Sequence, residues 1–414
     1  MDKLVALLVS AGAHVTGVPK HIPAELVWDH SFDSFTAELG DPFLAISRLH
    51  EGPPIIWATD ASYGRSGWVV TRYDLISEVF IDHQHFSAER PGMIADLLGV
   101  NLRLNPIEID PPAHHGFRRV LNPFFAPKAV NRFEAPVRQI CQELIAKFAE
   151  KGGCEFIHEF AVPFPSYVFL DLMGMPRDML ATFIEWESEL MRGPDIAARI
   201  GAARSIYHYL EEFLAEQRRN PGNELIKAIV TGQFEGRPFT HLETMGMLYV
   251  LYVGGLDTVY STLGWVMRHL ADHPDLQERL RGNPEQISTA VEEFARAFSV
   301  VVTHRMVAED FTFHGAPMRR GEEINLPLSL ANRDPKVFPD PHVVDIDRKP
   351  RHLAFGTGVH SCLGLYLAKR EIRIVVEELL KRLRNIRMRE GETYKYHTGR
   401  TFGVDRLPLQ WDTL

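Results

Sequence analysis

The chain has 414 residues and a formal net charge of −9, from 54 acidic against 45 basic residues. That balance excludes a general affinity for nucleic acid, which needs a basic surface. The 45% apolar and 24% charged residues are those of a globular protein with a large core, and three scattered cysteines, Cys141, Cys154 and Cys362, exclude a disulfide framework or a close zinc cluster and point to a reducing, cytoplasmic setting.

An apolar run at residues 4–9 is too short to span a membrane, which takes about 20 apolar residues. It reads as a short terminal helix, with an export signal as the alternative. No other stretch looks membrane-spanning. Residues 19–53 are rich in turn formers. Residues 55–59 and 67–71 read as two strands of a hairpin, joined through Ser62, Tyr63 and Gly64. A short helix is expected over 73–80 and an irregular stretch over 91–112, where Gly92, Gly99, Pro106 and the pair Pro111-Pro112 fall.

From His114 to about Phe298 helices dominate. Residues 136–151 and 206–218 are amphipathic at helical spacing, the second ended by Asn220-Pro221-Gly222. After a turn-rich break at 232–238 comes the longest candidate, residues 242–273, closed by Pro274. At about 1.5 Å per residue it spans nearly 50 Å. Its middle is apolar on almost every face, so it must be buried. Residues 311–327 have strand and turn character, a long helix follows Cys362 to about Arg384, and residues 407–411 read as a strand. The fold class is therefore mainly α with a small β-rich part, about residues 53–72 and 305–330, in a single domain over 1–414. There is no βαβ alternation, so a doubly wound sheet is disfavoured.

The most informative segment is Phe355-Gly356-Thr357-Gly358-Val359-His360-Ser361-Cys362-Leu363-Gly364. Two glycines permit a tight turn and close approach to a flat ligand. The cysteine falls where a helix begins, and helix-end amides favour a thiolate. Gly364 leaves room beside the next turn. A lone cysteine would read as a buried structural residue; here the glycine spacing, Phe355 and His360 all serve one purpose. Three further constellations stand elsewhere. Glu293 and Arg296 lie three apart on one helix face. The run Gly254-Gly255-Leu256-Asp257-Thr258 sets polar groups inside the long apolar helix. A threonine bonded back to its own helix and an aspartate paired with a base would explain them simply, while paired glycines also allow a local widening. His114 and Arg118, four apart after Asp110-Pro111-Pro112, can reach one anion from one helix face.

Together these motifs resemble those of the cytochrome P450 monooxygenases. The loop fills every defined position of the family's haem-binding signature, Phe-Gly-x-Gly-x-His/Arg-x-Cys-x-Gly. The resemblance implies a large helical domain enclosing haem b, with Cys362 as axial ligand to the iron. A thiolate there pushes electron density onto the iron and favours O–O cleavage. It further implies that Phe355 packs beside the sulfur and Gly364 completes the loop, that His360, His114, Arg118 and Arg305 bind the haem propionates, and that Glu293, Arg296 and a third partner, Arg348, form a structural trio fixing the thiolate loop. Asp257 would supply protons for the activation of dioxygen, with Arg192 as its charge partner, and Thr258 would stabilise the activated oxygen.

Within the family, His85-Phe86-Ser87, the run 254–259, Phe313-His314-Gly315 and the ending Leu407-Pro408-Leu409-Gln410-Trp411 resemble the bacterial camphor hydroxylase group. That likeness implies electrons from an NADH-dependent reductase through a [2Fe–2S] ferredoxin, docking near Cys362, with Arg119, Lys349 and Arg351 as a local positive patch. Two departures stand out. Residues 99–104 lack the tyrosine that binds the camphor ketone in that group, and Thr303 replaces an aspartate beside a propionate. Camphor is thus not the expected substrate. The pocket candidates Met93, Leu97, Leu98, Leu102, Val250, Val253, Val301 and Thr401 are mostly apolar. They suit a terpenoid or norisoprenoid of about ten to fifteen carbons, recognised by shape and burial. A peroxide-using haem-thiolate enzyme would not need the Asp257/Thr258 pair, and a haem-based sensor would predict its loss or an appended effector domain, so the Gly-Gly-Leu-Asp-Thr run favours a monooxygenase.

Overall fold

The structure is a computed structural model and describes residues 17–32, 40–62, 64–89, 92–193 and 195–413. The apolar run at 4–9 lies outside the described residues. The chain divides into two compact units.

The first unit comprises residues 1–88, 289–362 and 396–403. Its frame is a six-stranded sheet in the order Val27–Ser31, Ile55–Ser62, Arg65–Val70, Glu323–Pro327, Val302–Val307, Phe86–Ser87. The expected hairpin is present, with Trp57 opposite Trp68 and their rings edge to face at 5.2 Å. Its turn needs Gly64 at φ +74°, and the Gly64 amide donates to Asp60 Oδ1 at 2.9 Å. Alternation along Arg65–Val70 and Glu323–Pro327 turns Trp68, Val70, Ile324 and Leu326 into one apolar cluster. The helix Tyr73–Ile81 adds Leu75, Ile76, Val79 and Phe80 to it. Each such side chain contributes about 1.5–3 kcal/mol on burial.

The second unit comprises residues 89–288, 363–395 and 404–414 and is mostly helical. Its axis is the long helix His241–Asp272. A capping box starts it: Thr240 accepts from the Glu243 amide at 3.2 Å and Glu243 accepts from the Thr240 amide at 2.7 Å. Met247, Leu248, Tyr249, Tyr252 and Leu256 join a cluster with Phe117, Phe169, Phe183 and Leu210. Small residues let other segments reach the helix closely. A Cβ on Gly246 would stand 2.0 Å from the Arg103 carbonyl oxygen, and one on Gly255 would stand 2.8 Å from the Phe169 ring.

Several boundaries differ from the sequence expectation. The irregular stretch holds a helix, Met93–Leu98, stopped by Gly99 in the left-handed region at φ +67°. The helix expected over 206–218 starts earlier, as Ile196–Arg219, because the Asp195 side chain caps it by accepting from the Ala198 amide. The helix expected over 136–151 ends at Ala146, and the chain then forms a strand, Gly153–Glu155, paired with Pro408–Asp412. The helix after Cys362 is Leu365–Arg382, and Arg384 already belongs to the strand Arg384–Met388 on the other side of Pro408–Asp412. In the first case residues 149–151 tighten into a short 3-10 turn; in the second a distant strand, invisible to local periodicity, claims the backbone hydrogen bonds. The glycine pair does not widen the long helix, which is α-helical throughout. Among the described residues, no helix is long and apolar enough to cross a membrane.

Candidate active site

In the first unit the site is built around the loop before Cys362. Gly356 and Gly358 adopt φ +65° and +69°, which side-chain-bearing residues rarely do. Phe80 lies against both: Cβ atoms there would stand 3.6 Å from its ring and 3.1 Å from its carbonyl oxygen. The loop closes on itself where the Cys362 amide donates to the Phe355 carbonyl at 2.8 Å. Cys362 is exposed, whereas Cys141 and Cys154 are buried and burial pushes both thiols well up. The first helical residue is Leu365, so Cys362 precedes the helix by two linking residues rather than opening it.

The trio sits behind this loop. Arg296 donates from Nε and Nη2 to the two Glu293 oxygens at 2.8 and 2.7 Å, with both side chains fully buried. The same guanidinium donates to the carbonyls of Asn332, Pro341 and Val343 at 2.8–3.0 Å. Arg348 completes the set, 3.3 Å from Glu293 Oε1. These bonds clamp the segment that leads into the loop. Sequence reasoning missed two residues that extend the clamp. Asn332 accepts from the Leu353 amide at 2.7 Å and donates to Ser299 at 2.6 Å. His352 accepts from the Ala354 amide at 3.2 Å through Nδ1 and meets Glu292 at 3.1 Å through Nε2. The position of His352, just ahead of Phe355, was the one available signal.

Arg305 lies on Val302–Val307, opposite Ile324, with its guanidinium 5.3 Å above the Phe80 ring. The ring that supports Gly356 therefore also supports Arg305. His360 is half-buried in the turn Gly358–His360. Val301 and Thr401 are brought together as a β-bridge.

In the second unit the long helix carries Asp257 and Thr258. Asp257 is buried and accepts from Arg192 Nη1 at 2.8 Å, as the sequence suggested. Arg192 Nη2 also donates to Glu187 at 3.1 Å, a residue no motif announced. Thr258 does not follow the simple explanation of a hydroxyl bonded back to its own helix. Its carbonyl accepts from Thr262 at 2.9 Å, but its hydroxyl makes no hydrogen bond among the described residues. Val250, Val253, Gly254 and Thr258 are partly or fully exposed, with Val250, Gly254 and Thr258 four apart in a stripe on one face, whereas most residues in the middle of this helix are buried. His114 is buried and Arg118 half-buried, on the helix Ala113–Phe125. Of the pocket candidates here, Leu102 has no accessible surface and Leu97 almost none, so both are core. Met93, Leu98 and Val253 are partly buried against that core.

A family model described as Cytochrome P450 matches residues 195–411. A probable cytochrome P450 127A1 of Sinorhizobium fredii (strain NBRC 101917 / NGR234) is 36% identical over 404 residues, covering 95% of this chain and 97% of the relative. The chain belongs to the cytochrome P450 family. Two solved P450 structures share its fold. CYP101J2 matches with a TM-score of 0.86 at 29% identity, over 96% of this chain and 100% of its own. CYP101C1 matches with 0.85 at 28%, over 95% and 100%. The protein is a haem-dependent P450 monooxygenase.

The residues present fit that cofactor. In the first unit an exposed thiol stands on a rigid loop, the donor type that haem iron takes in this family. In the second, Cβ atoms on Gly254 and Gly364 would meet nothing within 4 Å, so both backbones offer a flat group room to approach. Leu363, Leu365 and Leu367, apolar residues after the cysteine, stay half-exposed as an apolar bed.

Proposed function

We propose that this P450 hydroxylates a small apolar terpenoid or norisoprenoid of about ten to fifteen carbons, using electrons from NADH passed by a reductase and a [2Fe–2S] ferredoxin. The observation that carries the reading is the stripe on the long helix, where Val250 and Val253 offer apolar surface beside an uncommitted Thr258 hydroxyl. Met93 and Leu98 add to this apolar surface, and recognition then rests on shape with few polar anchors. The absence of a tyrosine over residues 99–104 argues against a ketone anchored as camphor is. The likeness to two CYP101 enzymes supports the ferredoxin route.

When bound, haem supplies the redox chemistry that activates dioxygen. Cys362 would hold the iron as a thiolate, with Phe355 fixing the loop geometry through its carbonyl and Gly364 leaving room. Arg305, His360, His114 and Arg118 would bind the propionates. Glu293, Arg296 and Arg348 keep the thiolate loop rigid. Asp257 holds a proton in transit, and Thr258 presents a hydroxyl free to donate because it is not bonded back to its own helix.

The test is a titration of the ferric enzyme with monoterpenoids, norisoprenoids, fatty acids and steroids, following the shift in iron spin state. Terpenoids or norisoprenoids should give the largest shift. A response confined to fatty acids or steroids overturns the substrate class, and turnover that runs on peroxide but not on NADH with ferredoxin overturns the electron route.

A further inference from the structure

Behind Asp257 lies a second buried carboxyl with no place in the reading above. Glu187 sits on the helix Leu180–Arg192 and is only 4% exposed. Arg192 bridges it to Asp257, with Nη2 on Glu187 Oε2 at 3.1 Å and Nη1 on Asp257 Oδ1 at 2.8 Å. Among the described residues no N–H or O–H donates to Glu187 Oε1, and Arg192 holds this carboxyl and that of Asp257 on one guanidinium. One guanidinium cannot neutralise two buried carboxylates. Ionised together they leave a net negative charge in the core, which is costly. A proton shared between facing carboxyls removes that charge and satisfies the bare oxygen.

We propose that Glu187 is held as a neutral acid that shares its proton with Asp257 and refills the proton supply from behind. The inference rests on the role proposed for Asp257. The Glu187 O–H bond breaks as an O–H bond forms on Asp257, so the pair still holds one proton after this step. After Asp257 gives that proton up, the pair takes another from water at the edge of Arg192, whose side chain is 27% exposed.

The surroundings agree. Burial first, then the Asp257 carboxylate, push Glu187 up to about 8 against the pull of Arg192. The acid is therefore protonated at neutral pH and loses its proton only as pH rises through about 8. From the long helix, Tyr252 and Tyr260 face the same cluster, and burial raises both so that they stay neutral. Tyr252 is committed to the Phe183 carbonyl at 2.8 Å, and the Tyr260 ring lies 5.8 Å from the Arg192 guanidinium. Of the neighbouring helices, Ile196–Arg219 sends Arg199 to the Leu190 carbonyl at 3.1 Å. Pro163–Met173 carries Asp171 and Tyr167, both engaged with Arg177. Asp257 and Arg192 are thus the charges that set Glu187.

The experiment uses the haem-loaded enzyme, wild type, Glu187→Gln, Glu187→Asp and Asp257→Asn. Infrared spectra of the ferric proteins at neutral pH should show a deuterium-sensitive carboxylic-acid carbonyl band that Glu187→Gln removes and Glu187→Asp restores. Product formed per NADH should fall above a pH of about 8 in wild type, and this alkaline limb should vanish in Glu187→Gln, with coupling already several-fold lower at neutral pH. Persistence of the band or of the same limb in Glu187→Gln overturns the proposal. If Asp257→Asn leaves coupling intact, the relay reading itself falls; if it uncouples while Glu187→Gln behaves as wild type, only the role of Glu187 falls. The carbon monoxide spectrum of each variant reports whether the thiolate site is intact, and Glu187→Asp serves if the glutamine variant does not hold haem.

Discussion

Thr258 and Thr262 lie one turn apart on the same helix and use their hydroxyls differently. Thr262 bonds back to the Thr258 carbonyl, while Thr258 keeps its hydroxyl uncommitted on the exposed stripe. Thr258→Ala should therefore leave the reduced carbon monoxide spectrum unchanged but lower product per NADH several-fold, with the balance appearing as peroxide; unchanged coupling would remove Thr258 from the mechanism. Thr262→Ala serves as the control and should couple as wild type. Arg296 poses the opposite case. Its fork makes two bonds to Glu293 and three to carbonyls with no solvent in reach. Arg296→Lys keeps the charge but cannot reproduce that planar fork. Breaking such a buried pair costs about 3–5 kcal/mol, which urea unfolding should register together with loss of haem. Retention of full stability and haem would show that the trio is dispensable.

At the scale of elements, the adjacent glycines of the long helix have separate duties. A methyl at Gly255 would enter the Phe169 ring, itself buried, whereas one at Gly254 would meet open space. Overpacking typically costs about 1–3 kcal/mol, so Gly255→Ala should lower the melting temperature. In an exposed helix position alanine gains about 0.5–1 kcal/mol over glycine, so Gly254→Ala should raise it. The same methyl would stand on the stripe beside Thr258, so Gly254→Ala should weaken substrate-induced spin shifts even as it stabilises the fold. Thermal melts and titrations on the two variants separate these effects, and equal changes in both would show that the helix does not distinguish its faces. The thiolate loop behaves as an element too. Gly356 and Gly358 are needed for their positive φ, and Gly358 also for its closeness to the Phe80 carbonyl, so a side chain at either strains the loop.

At the scale of the whole molecule, the net charge of −9 leaves association with an acidic ferredoxin dependent on local positive surface. Lys349 and Arg351 are both exposed in the segment that leads to Cys362. Reversing both to glutamate should slow reduction by ferredoxin several-fold at low salt and flatten its dependence on ionic strength; reduction that ignores the reversal would place the contact elsewhere. The sequence by itself determined the family and the cofactor, and it singled out Cys362, Glu293, Arg296 and Asp257 as candidates. Each of these is carried by a short motif whose spacing reflects local chemistry: a loop that needs glycine, a helix face that repeats every three or four residues. Periodicity likewise found the long helix, because burial on all sides leaves it apolar on all sides. Tertiary structure alone decided where strands such as Gly153–Glu155 and Arg384–Met388 form, since their hydrogen-bond partners lie far along the chain. It alone separated core from candidate pocket, placing Leu102 and Leu97 out of reach and leaving Val250 and Val253 accessible. It alone brought Asn332 to the loop and Glu187 to Asp257, because a buried polar group finds its partner in space and leaves no pattern in sequence.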